Sequence, residues 1–150
     1  MPREAMVWNT PSLKVATSEA GLASGTAVEC QVSRAELIPQ PVYNTIAATG
    51  CSGASQSPGT TGWSLELVWL ADWTKPEAES LSWFAWNNDG KPVWVELIPD
   101  RDAVAQIAMT GQFFAVAGGF GATFGDGSAA TSTNSWPAVD KPEVAPVAGP

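Results

Sequence analysis

Between residues 62 and 73 the chain reads GWSLELVWLADW, and its apolar positions recur every second residue. Trp63, Leu65, Leu67, Trp69 and Ala71 fall on one face, and Ser64, Glu66, Val68, Leu70 and Asp72 on the other. A period of two marks a β-strand with one side in a core. The first face is wholly apolar. The second is polar at both ends with Val68 and Leu70 between, so part of it is expected to meet something too. The segment 27–38, AVECQVSRAELI, alternates in the same way, with Val28, Cys30 and Val32 opposing Glu29, Gln31 and Ser33. It predicts a half-buried strand with Cys30 as a small core residue. The alternation weakens over RAELI, where a bulge or a change of face fits, and Pro39 and Pro41 end the strand. In KPVWVELI at 91–98, Val93, Val95 and Leu97 alternate with Trp94, Glu96 and Ile98. Residues 103–110 and 112–117 read as two strands or one pivoting at Gly111, and 129–136, AATSTNSW, as a Thr/Ser-rich strand.

Only 75–87, KPEAESLSWFAWN, carries a helical pattern. Thr74 is the expected N-cap, Pro76 falls in the first turn, and Glu77 and Glu79 sit where the helix dipole favours acids. Leu81, Phe84 and Ala85 form the inward stripe, flanked by Trp83 and Trp86, and Asn87-Asn88-Asp89-Gly90 supplies the stop. The connections are rich in small residues: TGCSGASQSPGTTG at 49–62 reads as a long loop, and GGFGATFGDGS at 118–128 as a glycine loop. Residues 1–26 suit an N-terminal arm or loose edge strand around MVWN and LKVA, and 137–150 an extended Pro-rich tail. The fold class expected is therefore mainly β: an antiparallel β-sandwich over 27–136 with one flanking α-helix at 75–87 and extended terminal arms at 1–26 and 137–150.

At 150 residues, one domain with a sizeable core is expected. The uncharged stretch 103–125 is long enough to cross a membrane, but polar residues, five glycines and the absence of leucine argue for strands joined by a glycine turn. No signal peptide is legible in MPREAMVWNT. With 7 Lys plus Arg against 15 Asp plus Glu, the formal net charge is −8. The seven cations are scattered singly, which argues against tight binding to a phosphate backbone.

The chemistry that catalysis commonly draws on is sparse. The chain has no histidine, so the commonest general base and metal ligand is missing. Cys30 and Cys51 make no zinc site and read as free thiols, although a single bridge between them remains open. GGFGATFGDG lacks the following Gly-Lys-Ser/Thr and helix of a phosphate cradle. Asp100 and Asp102 do not make a calcium loop. Glu66 and Glu96 could be paired as glycosidase carboxylates if their strands were adjacent, but two surface acids are the simpler reading. No enzyme activity, cofactor or metal is expected.

Eight tryptophans against a single tyrosine favour packing over a sugar-binding surface, because binding surfaces also draw on the tyrosine hydroxyl. Trp63, Trp69, Trp83 and Trp94 are read first as core residues. Trp63 and Trp69 lie six residues apart on one face, or ~20 Å, too far for neighbouring sugar rings.

An ordered set of segments then narrows the reading. ECQVSRAELIPQP at 29–41, WSLELVWLADWTKPEAESLSWFAWNNDGKPVWVEL at 63–97, and AMTGQFFAVAGGFGATFGDGSAATSTNSWPAVDKP at 108–142 follow one another. Together they resemble the major tail protein, or tail tube protein, of long-tailed non-contractile bacteriophages, in the form common among phages of actinobacteria. The resemblance covers about 110 residues and rests on segment order and spacing, since no segment is a catalytic signature.

That resemblance implies a virion structural protein that assembles in the host bacterial cytoplasm. Six copies form a ring, their sheets join around a lumen, and rings stack into a tube through loops and terminal arms. Implied partners are other copies, the tape-measure protein, the tail terminator and distal tail proteins. DNA passes through without specific binding, and no membrane is involved. An acidic wall suits that task because it repels phosphate. Lumen-facing candidates are Glu29, Gln31, Ser33, Thr131 and Thr133, and subunit-interface candidates are Val68, Leu70, Trp83 and Trp86. A carbohydrate-binding β-sandwich, a head decoration protein and a tail terminator are the alternatives.

Overall fold

Among the described residues, alternation of apolar and polar positions builds ten strands around one short α-helix. The computed structural model describes residues 11–46, 48–51, 53, 55–59, 61–100, 102, 106–121 and 130–147. MVWN at 6–9, much of the glycine loop, residues 103–105 and the last three residues lie outside these.

The strands are β1 (Ser12–Ala16), β2 (Thr26–Ala27), β3 (Val32–Gln40), β4 (Tyr43–Ile46), β5 (Ser55–Pro58), β6 (Gly62–Leu70), β7 (Pro92–Ile98), β8 (Ile107–Phe114), β9 (Thr131–Pro137) and β10 (Glu143–Pro146), with helix α1 at Leu81–Asn87. They form a five-stranded sheet in the order β10-β8-β7-β1-β2, a three-stranded sheet β3-β6-β9 and a separate β4-β5 hairpin, with every pairing antiparallel. The protein is a mainly β sandwich with one helix, as the periodicity predicts.

The core lies where the inner faces of the two larger sheets meet. Leu13, Val15, Val93, Val95, Met109 and Phe113 come from the larger sheet, and Ala35, Leu65, Leu67, Trp69 and Trp136 from the smaller. Leu81 and Ala85 of α1 join the same cluster. Within β6, Leu65, Leu67 and Trp69 are fully buried, while Leu70 at the end of the opposite face is exposed. β7 buries Val93, Val95 and Leu97 as expected.

Several elements depart from the sequence reading, each for a local reason. The strand expected at 27–38 is divided. Residues 29–31 turn, held by the Gln31 N–H on the Val28 carbonyl (2.9 Å). Cys30 is consequently exposed on that turn instead of packed in the core. A bulge at Ser33 separates Val32, paired with Trp69, from Arg34, paired with Val68, and returns the later residues to alternation.

Helix α1 begins at Leu81, six residues later than expected. Thr74 does not cap it, because its N–H and hydroxyl both donate to Asp72 Oδ1 (3.1 and 2.7 Å). Ser80 is the N-cap, its Oγ accepting from the Trp83 N–H (3.4 Å), and Glu77–Glu79 form a 3-10 turn before it. Gly90, at φ +75°, stands in the left-handed region just past the helix, in the stop that Asn87–Gly90 predicts.

The described parts of both arms join the larger sheet. LKVA supplies β1, paired with both β2 and β7, and the tail supplies β10, paired with β8. The chain crosses between sheets at Ala138, whose N–H bonds the Trp63 carbonyl while the residue bridges Phe113. Within the expected loop 49–62, residues 55–58 form the second strand of the β4-β5 hairpin.

Candidate self-assembly surface

The outer face of the three-stranded sheet is laid out by register. Arg34, Val68 and Thr133 form one cross-strand row, Glu36, Glu66 and Ser135 the next, and Leu70 stands beside Thr131. Glu36 directly opposite Glu66 is a repulsive placement. The Arg34 guanidinium relieves it, reaching Glu36 Oε2 at 2.6 Å and Glu66 Oε2 at 3.4 Å. Its hydrogen bond to Glu36 holds the Arg34 pKa above the ordinary guanidinium value, with the charges of Glu36 and Glu66 adding to the effect. With Ile38 beside Ser64, the face is a mixture of hydroxyls, acids, one cation and the aliphatic side chains Ile38, Val68 and Leu70.

This register merges candidates that the sequence reading kept apart. Thr131 and Thr133, expected toward a lumen, share a face with Val68 and Leu70, expected toward a neighbouring subunit. Ser33 is exposed beside them, and its hydroxyl donates to the Val68 carbonyl (3.2 Å). Glu29 and Gln31 do not join that face. Glu29 is half-buried in the turn. Gln31 is 5% exposed and points inward, its Nε2 donating to the Glu79 carbonyl (2.7 Å) and its Oε1 accepting from the Leu81 N–H (2.9 Å). The side chain thus ties the start of α1 to the turn before β3, which is why a polar residue is retained there.

β9 puts its hydroxyls outward and its packing inward. Thr131, Thr133 and Ser135 face solvent, while Ser132, Asn134 and Trp136 alternate inward. Asn134 Nδ2 donates to the Ala117 carbonyl (3.0 Å) and Trp136 Nε1 to the Val116 carbonyl (3.1 Å), so the segment after β8 lies along this strand. Gly118 fits there because a Cβ would stand 2.8 Å from the Trp69 ring.

That segment carries Phe120 into a second group of aromatic residues. Trp73 lies 5.2 Å from Trp83, 5.8 Å from Trp86 and 5.2 Å from Phe120, each ring nearly perpendicular to it. Trp83 Nε1 donates to the Trp73 carbonyl (3.3 Å). The Trp73 indole N–H is covered and has no hydrogen-bond partner among the described residues. Trp86 and Phe120 are 54% and 76% exposed, an apolar surface that a soluble monomer rarely leaves in one place. Trp83 and Trp86 were legible as helix flanks; Trp73 and Phe120 were not, because only the fold brings them together.

On the opposite side of β6, beside β3, a cavity of about 130 Å³ opens between the sheets. Its apolar wall is Pro11, Leu13, Val32, Ala35 and Leu97, with Arg34 among its polar lining residues.

Glu66 and Glu96 are not a pair. Glu66 stands on the outer face of one sheet and Glu96 on the outer face of the other, since each alternates with residues buried between them. No cluster of three metal-ligating side chains occurs among the described residues, and none of their helices is long and apolar enough to cross a membrane. Neither a protein-family model nor a curated protein matches the chain.

Proposed function

We propose that this protein is a virion structural protein, the subunit of a bacteriophage tail tube, whose copies form six-fold rings stacked around a DNA-conducting lumen. The observation that carries the reading is the three-stranded sheet. Both of its edges, β3 and β9, lack a further strand among the described residues, and its outer face is rich in hydroxyls and carboxylates. An open edge ordinarily invites uncontrolled pairing unless it is blocked or has an intended partner. Here each edge is suited to a neighbouring copy, so that three strands per subunit continue around a closed ring. In this arrangement Thr131, Thr133, Ser135, Glu36 and Glu66 form the lumen wall, with the Arg34 charge held between the two carboxylates and Ile38, Val68 and Leu70 as apolar interruptions. Hydroxyls and acids give phosphate little to hold, in keeping with the net charge of −8. The tape-measure protein, tail terminator and distal tail proteins are the partners the reading implies.

Negative-stain microscopy of concentrated protein, alone and with a tail-tip initiator complex, tests this. Hollow tubes or stacked six-fold rings are expected. Monomers that persist under both conditions would overturn it. A proline at Thr133, on the β9 edge, is expected to abolish the rings while leaving the monomer folded, as circular dichroism would show.

A carbohydrate-binding module is the second reading, favoured by the exposed Trp86 and Phe120. It cannot use Trp69, which is fully buried. Affinity for a glycan array that is lost on Trp86→Ala would support it over the tube.

A further inference from the structure

The geometry points to a knob-and-hole contact between copies: Phe120 of one copy seats in the cavity bounded by Pro11, Leu13, Val32, Ala35 and Leu97 of the next. This inference rests on the reading that copies associate, but it names a contact which that reading does not require.

Phe120 is the most exposed of the large apolar side chains described. It stands in the run Gly118-Gly119-Phe120-Gly121. A Cβ at Gly119 or Gly121 would meet nothing within 4 Å, so neither flank carries a side chain to obstruct an approaching surface. Among the described residues, Phe120 makes one ring contact, with Trp73. An aromatic knob on a bare stem is poorly explained by the packing of its own chain.

The hole matches it in size and chemistry. An apolar cavity of roughly 150 Å³ accommodates one benzene ring, and this one is about 130 Å³ and open to solvent. Its apolar wall is Pro11, Leu13, Val32, Ala35 and Leu97, and the rest of its lining is Glu29, Ser33 and Arg34. An indole is larger than this volume favours, which selects Phe120 over Trp86.

Knob and hole cannot meet within one copy. The hole lies by β3 and the Phe120 segment runs along β9, the two opposite edges of the same sheet. A surface on one edge that fits a hole on the other is a head-to-tail contact, and repetition of it gives rings or filaments instead of closed two-fold dimers.

Three variants test the contact. Phe120→Ala removes an exposed side chain, so folding is expected to be unchanged, while the concentration for half-maximal assembly rises by about tenfold or more. Val32→Phe fills the hole from within and is expected to have the same effect. The third is Gly119→Cys with Cys51→Ser, which keeps the Phe120 ring, since a Cβ at Gly119 meets nothing within 4 Å, and leaves Cys30, exposed on the turn beside the hole, as the other thiol. A short bismaleimide should then give a ladder of dimers, trimers and larger species, and adding Val32→Phe should abolish the ladder. Tubes that assemble equally well with Phe120→Ala would overturn the contact and leave the tail-tube reading standing. Phe120-dependent rings or filaments without a lumen would support the contact and overturn the tube. A cross-linked product that stops at the dimer would overturn the head-to-tail arrangement.

Discussion

Two groups of aromatic rings, both dominated by tryptophan, differ in burial and in polar satisfaction. Trp69 and Trp136 meet edge to face at 6.4 Å with no exposed surface. Both indole N–H groups are satisfied, Trp69 by the Ser82 hydroxyl at 3.2 Å and Trp136 by the Val116 carbonyl. Trp73, Trp83, Trp86 and Phe120 use the same edge-to-face geometry, but two of the four are largely exposed and the Trp73 N–H has no partner among the described residues. The first group is finished within one chain. The second is what a surface looks like when its remaining contacts belong to another molecule. Ring geometry does not separate core from interface; burial and polar satisfaction do.

The comparison breaks most visibly at Trp69. Trp69→Ala is expected to lose about 3–5 kcal/mol of folding stability, read as a fall in the urea midpoint, because it removes a full ring from a close-packed site. Trp69→Phe should lose much less, on the order of 1–2 kcal/mol, reporting the bond to Ser82 and the small residual void. If Trp69→Ala unfolded at the wild-type midpoint, the division between the two groups would be wrong.

Gln31 comes next, because α1 touches both groups: its Ser82 accepts from Trp69, and its Trp83 and Trp86 belong to the second. Gln31→Leu strands the buried Leu81 N–H and removes the part-buried hydrogen bond to the Glu79 carbonyl, an expected loss of about 2 kcal/mol. Ser80→Ala removes the cap and the hydrogen bond to the Asp72 carbonyl (2.9 Å), with about 1 kcal/mol expected. Trp86→Ala should fall within about 0.5 kcal/mol of the parent, since its ring is more than half in water. A large stability loss at Trp86 would move the second group into the fold and away from assembly.

The sequence made one of these groups legible and not the other. Alternation alone placed Leu65, Leu67 and Trp69 in the core, since each strand residue is fixed to a face by its neighbours. It failed at 28–31, where a turn places Cys30 outside and Gln31 inside while the written pattern still alternates. A strand and a turn can share one polarity pattern, and only the hydrogen bonds to residues 79 and 81, about fifty positions away, distinguish them. The helix start was misplaced for a similar reason. Thr74 is as good a cap as Ser80 in isolation, but Asp72, two residues before it, engages its hydroxyl. Phe120 and Trp73 lie 47 positions apart, and no periodicity connects a glycine loop to the end of a strand. The register that sets Thr131 and Thr133 beside Leu70 and Val68 is likewise a property of pairing, so a lumen set and an interface set could be kept apart on paper.

The smallest expected effect lies in the turn that links the two groups. β6 ends just after Trp69, and Asp72 then folds the chain so that Trp73 can reach α1. The Thr74 hydroxyl hydrogen bond holds the Asp72 carboxyl below the ordinary carboxylate range; partial desolvation opposes this, and the Thr74 N–H and the charge of Lys75 add to the lowering. A carboxyl depressed in the folded state binds a proton less readily there than in the unfolded chain. Its contribution is therefore complete above the unfolded value, near pH 4, and is lost as pH falls through the lower folded value. Thr74→Val removes the hydroxyl donor while nearly preserving shape. The Asp72 titration, followed by carboxyl carbon chemical shift, should move up toward the ordinary value, and the variant should lose less stability than the parent on acidification below about pH 4. An unchanged titration would show that the backbone N–H and Lys75 suffice, leaving the aim of Trp73 to packing alone.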